Sequence, residues 1–185
     1  MKNSGIEIEL KFALSKPPEE FLERFTNAGK RTYEKTVMFD NEQGLMQKTN
    51  GRVRLRQKGE IVTLSYKRPL PSDTVKKEIE WETRVDSWEI AENLLKAMGF
   101  KETTSYEKYR TSFDYEKAKL EIDEYPFANF LEIEGEEEVV KSVALNLGFD
   151  LSRALTKTCD TLFTEWRAAK GLPMKPNMRF EGYDK

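Results

Sequence analysis

Charged and apolar residues alternate strictly at residues 6–12. Glu7, Glu9 and Lys11 are interleaved with four apolar residues. Because successive side chains of a β-strand point to opposite faces, this pattern predicts a strand with one charged face and one apolar face. Along such a strand, the charged groups lie about 7 Å apart.

The same alternation recurs along the chain, and the recurrence constrains the fold more than any single strand does. Similar segments lie at residues 52–56, 61–67, 78–82, 108–113, 120–123 and 130–134. One such strand is typical of an antiparallel sheet with a solvated charged face. Seven strands that carry charges of both signs favour a closed sheet, in which acidic and basic strands face each other across a polar lumen.

Helices are predicted between and after these strands. Apolar spacing, capping residues and glycine stops predict helices at residues 17–28, 87–98, 136–147 and 151–170. The order strand, helix, strand, strand, strand occurs twice, and the phrase at residues 33–40 is similar to that at residues 106–114. We therefore expect one α+β domain over residues 1–170, a pseudo-symmetric barrel with helices outside. A loose tail is expected over residues 171–185.

Composition argues against several classes of partner. The chain carries 31 basic and 33 acidic residues, so its net charge is only −2 and no broad basic surface for nucleic acid is expected. No apolar run reaches the length of a membrane span and no signal peptide is recognisable. These features predict a protein with no membrane partner and a cytoplasmic location.

The chain contains no histidine and a single cysteine, Cys159. The absence of histidine excludes Ser-His-Asp and Cys-His catalysis and zinc sites built on imidazole. A lone cysteine excludes an intramolecular disulfide, and we expect a buried, inert thiol. A bound metal would need oxygen ligands, which favours Mg²⁺, Mn²⁺ or Ca²⁺.

The predicted lumen has a specific chemistry. A purely structural network of ion pairs is one explanation for its charges, but buried ion pairs stabilise a fold poorly compared with apolar packing. Arginine forks suit phosphate oxygens, and clustered glutamates suit a divalent cation that bridges carboxylates and phosphates. A lumen with both predicts a polyphosphate site that grips its ligand with side chains, since the chain has no Gly-rich phosphate loop.

The charged motifs resemble, in the same order, those of CYTH domains, the triphosphate tunnel metalloenzymes. Glu7-x-Glu9-x-Lys11 resembles the family's ExExK signature. The further matches are Arg54-x-Arg56, Lys67, Glu78-x-Glu80, Lys108-x-Arg110, Asp123 and Glu132-x-Glu134, with Lys157 as a weaker match. The resemblance covers residues 5 to 165, and the ordered set is much more specific than the short ExExK motif.

The resemblance implies an eight-stranded antiparallel β-barrel, or tunnel, that binds a triphosphate with Mg²⁺ or Mn²⁺. It favours a metal-dependent triphosphatase acting on inorganic tripolyphosphate, thiamine triphosphate or a nucleoside triphosphate. The implied metal ligands are Glu7, Glu9, Glu132 and Glu134. The implied phosphate ligands are Lys11, Arg54, Arg56, Lys67, Lys108, Arg110 and Lys157. The implied catalytic acids are Glu78, Glu80 and Asp123, which would orient the basic groups, hold a second metal or position water.

Two other functions stay open at this point. Class IV adenylyl cyclases belong to the same family, and a module that binds polyphosphate or a nucleotide without turnover would use the same charges. The sequence also departs from the family at Thr158-Cys159-Asp160, where many relatives have Ser-Tyr, so contacts from that helix are not predicted. A monomer or a homodimer is expected.

Overall fold

The computed structural model describes residues 4–180, and within them nine β-strands form one sheet. The strands are β1 (Ser4–Ala13), β2 (Thr32–Asn41), β3 (Arg52–Lys58), β4 (Ile61–Leu70), β5 (Lys76–Val85), β6 (Phe100–Tyr115), β7 (Ala118–Glu124), β8 (Asn129–Glu134) and β9 (Asn177–Met178). The helices are α1 (Pro18–Leu22), α2 (Leu45–Thr49), α3 (Trp88–Ala97), α4 (Glu137–Asn146) and α5 (Cys159–Ala169).

The first eight strands close into a barrel. Their order is β2-β3-β4-β5-β1-β8-β7-β6, and β6 pairs back with β2. All eight of these pairings are antiparallel, which confirms the predicted eight-stranded antiparallel barrel. The pairs β1–β5 and β2–β6 relate the two halves of the chain, as expected for a pseudo-two-fold arrangement.

The apolar faces of the strands point outward and are covered by helices. On one side, Leu10 of β1 and Leu131 of β8 are buried against Val140 and Val143 of α4. On another side, outward residues of β2, β3 and β4 pack against Ala91 and Leu95 of α3. Because the helices take up the apolar faces, the charged faces of the same strands are left to the interior of the barrel.

The first predicted helix is wrong in extent. It was expected at residues 17–28, but α1 ends at Leu22. The following loop is held by tertiary contacts instead: the Asn27 side chain donates to the Asp114 carbonyl at 2.7 Å, and Phe25 packs on Phe113. Gly29 lies so close to β6 that a Cβ there would be 2.2 Å from the Ser112 carbonyl oxygen. This glycine therefore serves close packing and not a helix end.

The last predicted helix is also wrong in extent. A 3₁₀ turn at Leu151–Arg153 replaces the start of the expected helix at residues 151–170, and α5 begins only at Cys159. Between them the chain runs along the barrel, where the Leu155 amide donates to the Lys11 carbonyl at 2.7 Å. Thr158 then caps α5 with its side chain. The helices expected at residues 87–98 and 136–147 are confirmed by α3 and α4.

The segment after α5 returns to the barrel. β9 runs parallel to β6 beside Ser105 and Tyr106, and Met178 is buried. Residues 171–185 were expected to be a loose tail; residues 181–185 of that range lie outside the described residues. Over residues 4–180, no helix is both long and apolar enough to cross a membrane.

Candidate active site

A cavity of about 890 Å³ is lined by residues from all eight barrel strands. Within the described part of the chain, twelve acidic and twelve basic side chains line it. Of the residues singled out in the sequence, the wall contains Glu7, Glu9, Lys11, Arg54, Arg56, Lys67, Glu78, Glu80, Lys108, Arg110, Glu132 and Glu134. Strand alternation thus brings residues that are up to 127 positions apart in the sequence to one site.

Two overlapping groups of carboxylates form across the consecutive strands β1, β8 and β7. One oxygen from each of Glu7, Glu9 and Glu134 lies within 4.8 Å of the others, and the same holds for Glu121, Glu132 and Glu134. The β1–β8 register explains the first group, because it sets Glu9 opposite Glu134. Oxygen ligands at this spacing suit a hard divalent cation.

The electrostatics of these carboxylates fit a cation. Burial raises the pKa of Glu134; Lys119 opposes the rise, and the carboxylates of Glu7 and Glu132 add to it. Glu121 is a buried acid whose carboxylate is shared between Arg110 and Lys119, so it brings a further negative charge to the second group. A divalent cation would relieve the repulsion between the acids.

Lysines form ion pairs with several of these carboxylates. Lys11 lies 2.9 Å from Glu132 and 3.8 Å from Glu9. Lys67 forms an ion pair with Glu7 and lies 3.2 Å from Glu80. Burial alone would raise the pKa of Glu7, but Lys67, together with Arg54 and Lys76, outweighs it and lowers this pKa to about 2. Glu7 is therefore ionised at neutral pH, as a metal ligand or ion-pair partner must be.

The arginines of β3 are held differently from one another. Arg54 donates from Nε to Ser65 Oγ at 2.8 Å and lies 3.2 Å from Glu80. Arg56 lies 3.9 Å from Glu34, and its buried Nε has no hydrogen-bond partner among the described residues. Its guanidinium therefore has donor capacity left for a ligand.

The basic groups create a positive potential in the part of the cavity around Tyr106. Burial would raise the pKa of Tyr106, yet Arg54, Arg56 and Lys108 together lower it. Burial should raise the pKa of a phenol, so a lowered pKa indicates an excess of positive charge near the Tyr106 hydroxyl. This is the environment that an anionic ligand requires.

Asp123 lies behind the basic residues and not on the cavity wall. It is fully buried and accepts hydrogen bonds from Lys108 at 2.8 Å and from two nitrogens of Arg110 at 2.5 Å. Arg110 also lies 2.6 Å from Glu132 and forms an ion pair with Glu121. These contacts fix the orientation of both basic side chains.

Lys157 is not brought into this site. Its exposed ammonium lies 2.6 Å from Glu165, and it does not line the cavity. The start of α5 reaches the wall instead, through Thr158, Cys159 and Asp160. Cys159 is a buried free thiol, as expected, and burial raises its pKa to about 12.

Several charged wall residues were not among the predicted site residues. Lys76 lies 2.8 Å from Glu9 and 3.0 Å from Glu78, and Arg52 pairs with Glu78 as well. Glu34 and Glu121 are buried acids on β2 and β7. Arg52 and Glu121 lie within the alternating segments at residues 52–56 and 120–123, and Lys76 lies two residues before the segment at 78–82, so the same alternation could have found all three. Glu34 gave no such signal, because its inward neighbours Thr36 and Met38 are uncharged.

Sequence comparison supports the arrangement. The family model of the CYTH domain matches residues 5–144. This chain belongs to the CYTH domain family. A search of curated proteins gave no significant match to this CYTH chain.

Solved structures share the CYTH fold at low sequence identity. The PH1819 protein of Pyrococcus horikoshii is 21% identical with a TM-score of 0.72, over 86% of this chain and 98% of that chain. A candidate adenylate cyclase from Vibrio parahaemolyticus is 15% identical with a TM-score of 0.70, over 85% and 97%. HpAC1 of Hippeastrum, a candidate adenylyl cyclase described as having a dominant triphosphatase activity, is 17% identical with a TM-score of 0.63, over 91% and 97%. At these identities the likeness establishes the fold alone.

Proposed function

We propose that this CYTH protein is a divalent-metal-dependent hydrolase of a triphosphate. One observation carries the proposal: carboxylates spaced for a cation share one cavity with a row of basic side chains, of which Arg56 has an unbonded donor. A triphosphate needs both, because its charge is divided between a cation and basic side chains.

The metal ligands proposed are Glu7, Glu9, Glu132 and Glu134, with Mg²⁺ or Mn²⁺ as the cation. When bound, the cation would polarise phosphate oxygens as a Lewis acid. Each carboxylate group is one possible position for the cation. Glu134 belongs to both groups, so it would be a ligand at either position.

The phosphate ligands proposed are Lys11, Arg54, Arg56, Lys67, Lys108 and Arg110. Arginine forks and ammonium groups on facing strands would hold successive phosphates along the cavity and fix the reacting phosphorus. Lys157 is left out, because it lies away from the cavity wall.

Three acids would organise the basic groups and the water. Glu78 and Asp123 are buried and bonded to basic side chains, which suits an orienting role. Glu80 has 22% of its side chain exposed and lies 3.2 Å from both Arg54 and Lys67. This accessible carboxylate is the best placed of the three to orient an attacking water towards a bound phosphate.

The cavity wall favours hydrolysis over cyclisation. Among its described residues only Tyr106 and Tyr125 are aromatic, and both rings are within the apolar cluster beside α5. A nucleobase is normally held on aromatic surface, and among the described residues the wall offers no aromatic ring outside that cluster. The triphosphatase activity of HpAC1 agrees with the proposal, and the Vibrio protein supports adenylyl cyclase as the second candidate.

Product analysis tests the proposal. Tripolyphosphate, thiamine triphosphate and ATP are each incubated with the protein and Mg²⁺ or Mn²⁺. We expect orthophosphate and the shortened substrate from at least one of them. Cyclic AMP and pyrophosphate as the main products from ATP would establish the cyclase instead. Tight binding of all three without turnover would identify a binding module.

Glu9→Gln provides the matched inactive variant. Loss of one charge from the first carboxylate group should abolish turnover. The fold should be retained, because the amide keeps the shape of the side chain, although the melting temperature should fall since Lys76 loses one of its acidic partners. Glu20→Gln on the surface of α1 is the control and should keep full activity. Substantial wild-type activity in excess chelator would contradict metal dependence.

A further inference from the structure

The two carboxylate groups of the cavity differ in how their oxygens are engaged. In the first group, Lys67 contacts Glu7 through Oε2 and Lys76 contacts Glu9 through Oε1. The other oxygen of each carboxylate accepts no hydrogen bond from a side chain of the described residues, and neither does either oxygen of Glu134. The first group therefore has oxygens available for a cation.

In the second group, bases engage both oxygens of two carboxylates. Glu121 pairs with Lys119 through Oε1 and with Arg110 through Oε2. Glu132 pairs with Lys11 through Oε1 at 2.9 Å and with Arg110 through Oε2 at 2.6 Å. A divalent cation could therefore enter this group only by displacing one of these bases.

Lys119 is the base of the second group that is free to leave. It pairs with Glu121, lies 3.8 Å from Glu134, and contacts no acid outside the group within the described part of the chain. Arg110 and Lys11 each pair with a further acid, and only 8% and 5% of their side chains are exposed. The Lys119 side chain is 46% exposed, so it can move into solvent without crossing the protein.

We propose that the Lys119 ammonium fills the second cation position, so that the protein alone binds one divalent cation, in the first group. The inference rests on the proposed metal dependence of this cavity. A second cation must compete with Lys119 for the same carboxylates and is repelled by it. We therefore expect the second cation to bind at least about tenfold more weakly than the first.

A lysine in this position changes what the site contributes to the reaction. Its single charge would lie beside the bound cation and attract phosphate oxygens, but it cannot activate water as a second divalent ion could. Glu132 would then keep Lys11 and Arg110 in place, and it would become a metal ligand only when the second position fills.

Titration with Mn²⁺ counts the cations directly. The electron paramagnetic resonance signal of free Mn²⁺ is lost on binding, so the full chain with Mn²⁺ alone gives the stoichiometry without turnover. We expect one tightly bound Mn²⁺ per wild-type chain. Lys119→Met should bind a second Mn²⁺ with a dissociation constant at least about tenfold lower than that of the wild type.

Lys117→Met is the matched control, because Lys117 is also exposed and lines the same cavity. It should bind Mn²⁺ as the wild type does. Melting curves verify that both variants fold, and Lys119→Gln replaces Lys119→Met if the latter does not.

A second substitution locates the additional cation. Glu121 belongs only to the second group, so Glu121→Gln combined with Lys119→Met should return the count to one Mn²⁺. Two Mn²⁺ in this double variant would overturn the proposal, and so would two equal sites in the wild type or one site in Lys119→Met. No Mn²⁺ binding by the wild type would contradict the proposed metal dependence itself, and this inference with it.

Discussion

Basic residues of the cavity differ in how firmly acidic neighbours hold them. Arg110 contacts Glu121, Asp123 and Glu132, so its charge is matched within the protein. Arg56 has Glu34 at 3.9 Å and an unbonded Nε among the described residues. Two residues that look equivalent in the sequence, each an arginine in an alternating strand, should therefore contribute differently to stability and to ligand binding.

Replacing each arginine by alanine separates these contributions. Arg56→Ala should weaken binding of a triphosphate by about 2–4 kcal/mol, the cost of removing one buried charged contact, with little change in the free energy of unfolding. Arg110→Ala should lower the free energy of unfolding by about 3–5 kcal/mol, because it removes the partner that three buried carboxylates share and leaves each with one lysine. Chemical denaturation and calorimetric titration with tripolyphosphate measure the two quantities. A large loss of stability in Arg56→Ala with unchanged affinity would contradict this division.

At the scale of elements, the segment after α5 is fastened to the barrel by specific contacts. Arg167 of α5 is fully buried and donates to the Pro173 carbonyl at 2.6 Å. Asn177 of β9 accepts hydrogen bonds from the Ser105 amide and hydroxyl at 3.0 Å. Met178 then enters the apolar cluster that contains Phe163. This segment secures α5, whose first turn lines the cavity.

Two methionines of this segment provide a matched test. Met178→Ala should lower the free energy of unfolding by about 2–4 kcal/mol, because it leaves a cavity in a packed cluster. Met174→Ala should change it by less than about 0.5 kcal/mol, since Met174 is 62% exposed whereas Met178 is 2% exposed. Urea denaturation of both variants makes the comparison. Equal effects would mean that β9 contributes nothing to the stability of the barrel.

Local pattern predicted most strands and two of the long helices, and it failed where distant parts of the chain decide the structure. The alternation at Glu7, Glu9 and Lys11 is imposed by the barrel wall itself, so the sequence displays it directly. The early end of α1 depends on contacts with β6, far along the chain, which no local pattern contains. The short α2 was missed for a different reason: its amides at Met46 and Gln47 bond to Asp40, a residue on the preceding strand.

For the whole molecule, the matched charges within the barrel make stability depend on pH. Glu34 is 1% exposed and lies 3.2 Å from Lys58 and 3.6 Å from Lys108. Burial alone would raise its pKa, but Lys108, Arg110, Arg56 and Lys58 lower it well below the usual range. A carboxylate whose pKa is lower in the folded state stabilises the fold fully above its unfolded pKa, about 4.3. That contribution is lost as the pH falls further towards the folded value.

Glu34→Gln should therefore flatten the acid side of the stability curve. The variant should be less stable than the wild type at pH 7. Between about pH 5 and about pH 3 it should lose about 1–2 kcal/mol less than the wild type does. Denaturation at a series of pH values measures both curves, with Glu20→Gln as the control that should follow the wild type. Parallel curves for wild type and Glu34→Gln would show that this carboxylate does not contribute.

The position of β1 has a consequence for how the chain reaches this structure. β1 lies between β5 and β8, so the first strand finds both of its neighbours among elements far along the chain. Closure of long chain segments is required before those pairings form, and proteins dominated by such distant pairings fold in about milliseconds to seconds. A nascent chain that ends before β8 leaves one edge of β1 unpaired, with its backbone groups open to other chains. Such a chain would depend on completion of synthesis, or on chaperones, to avoid aggregation.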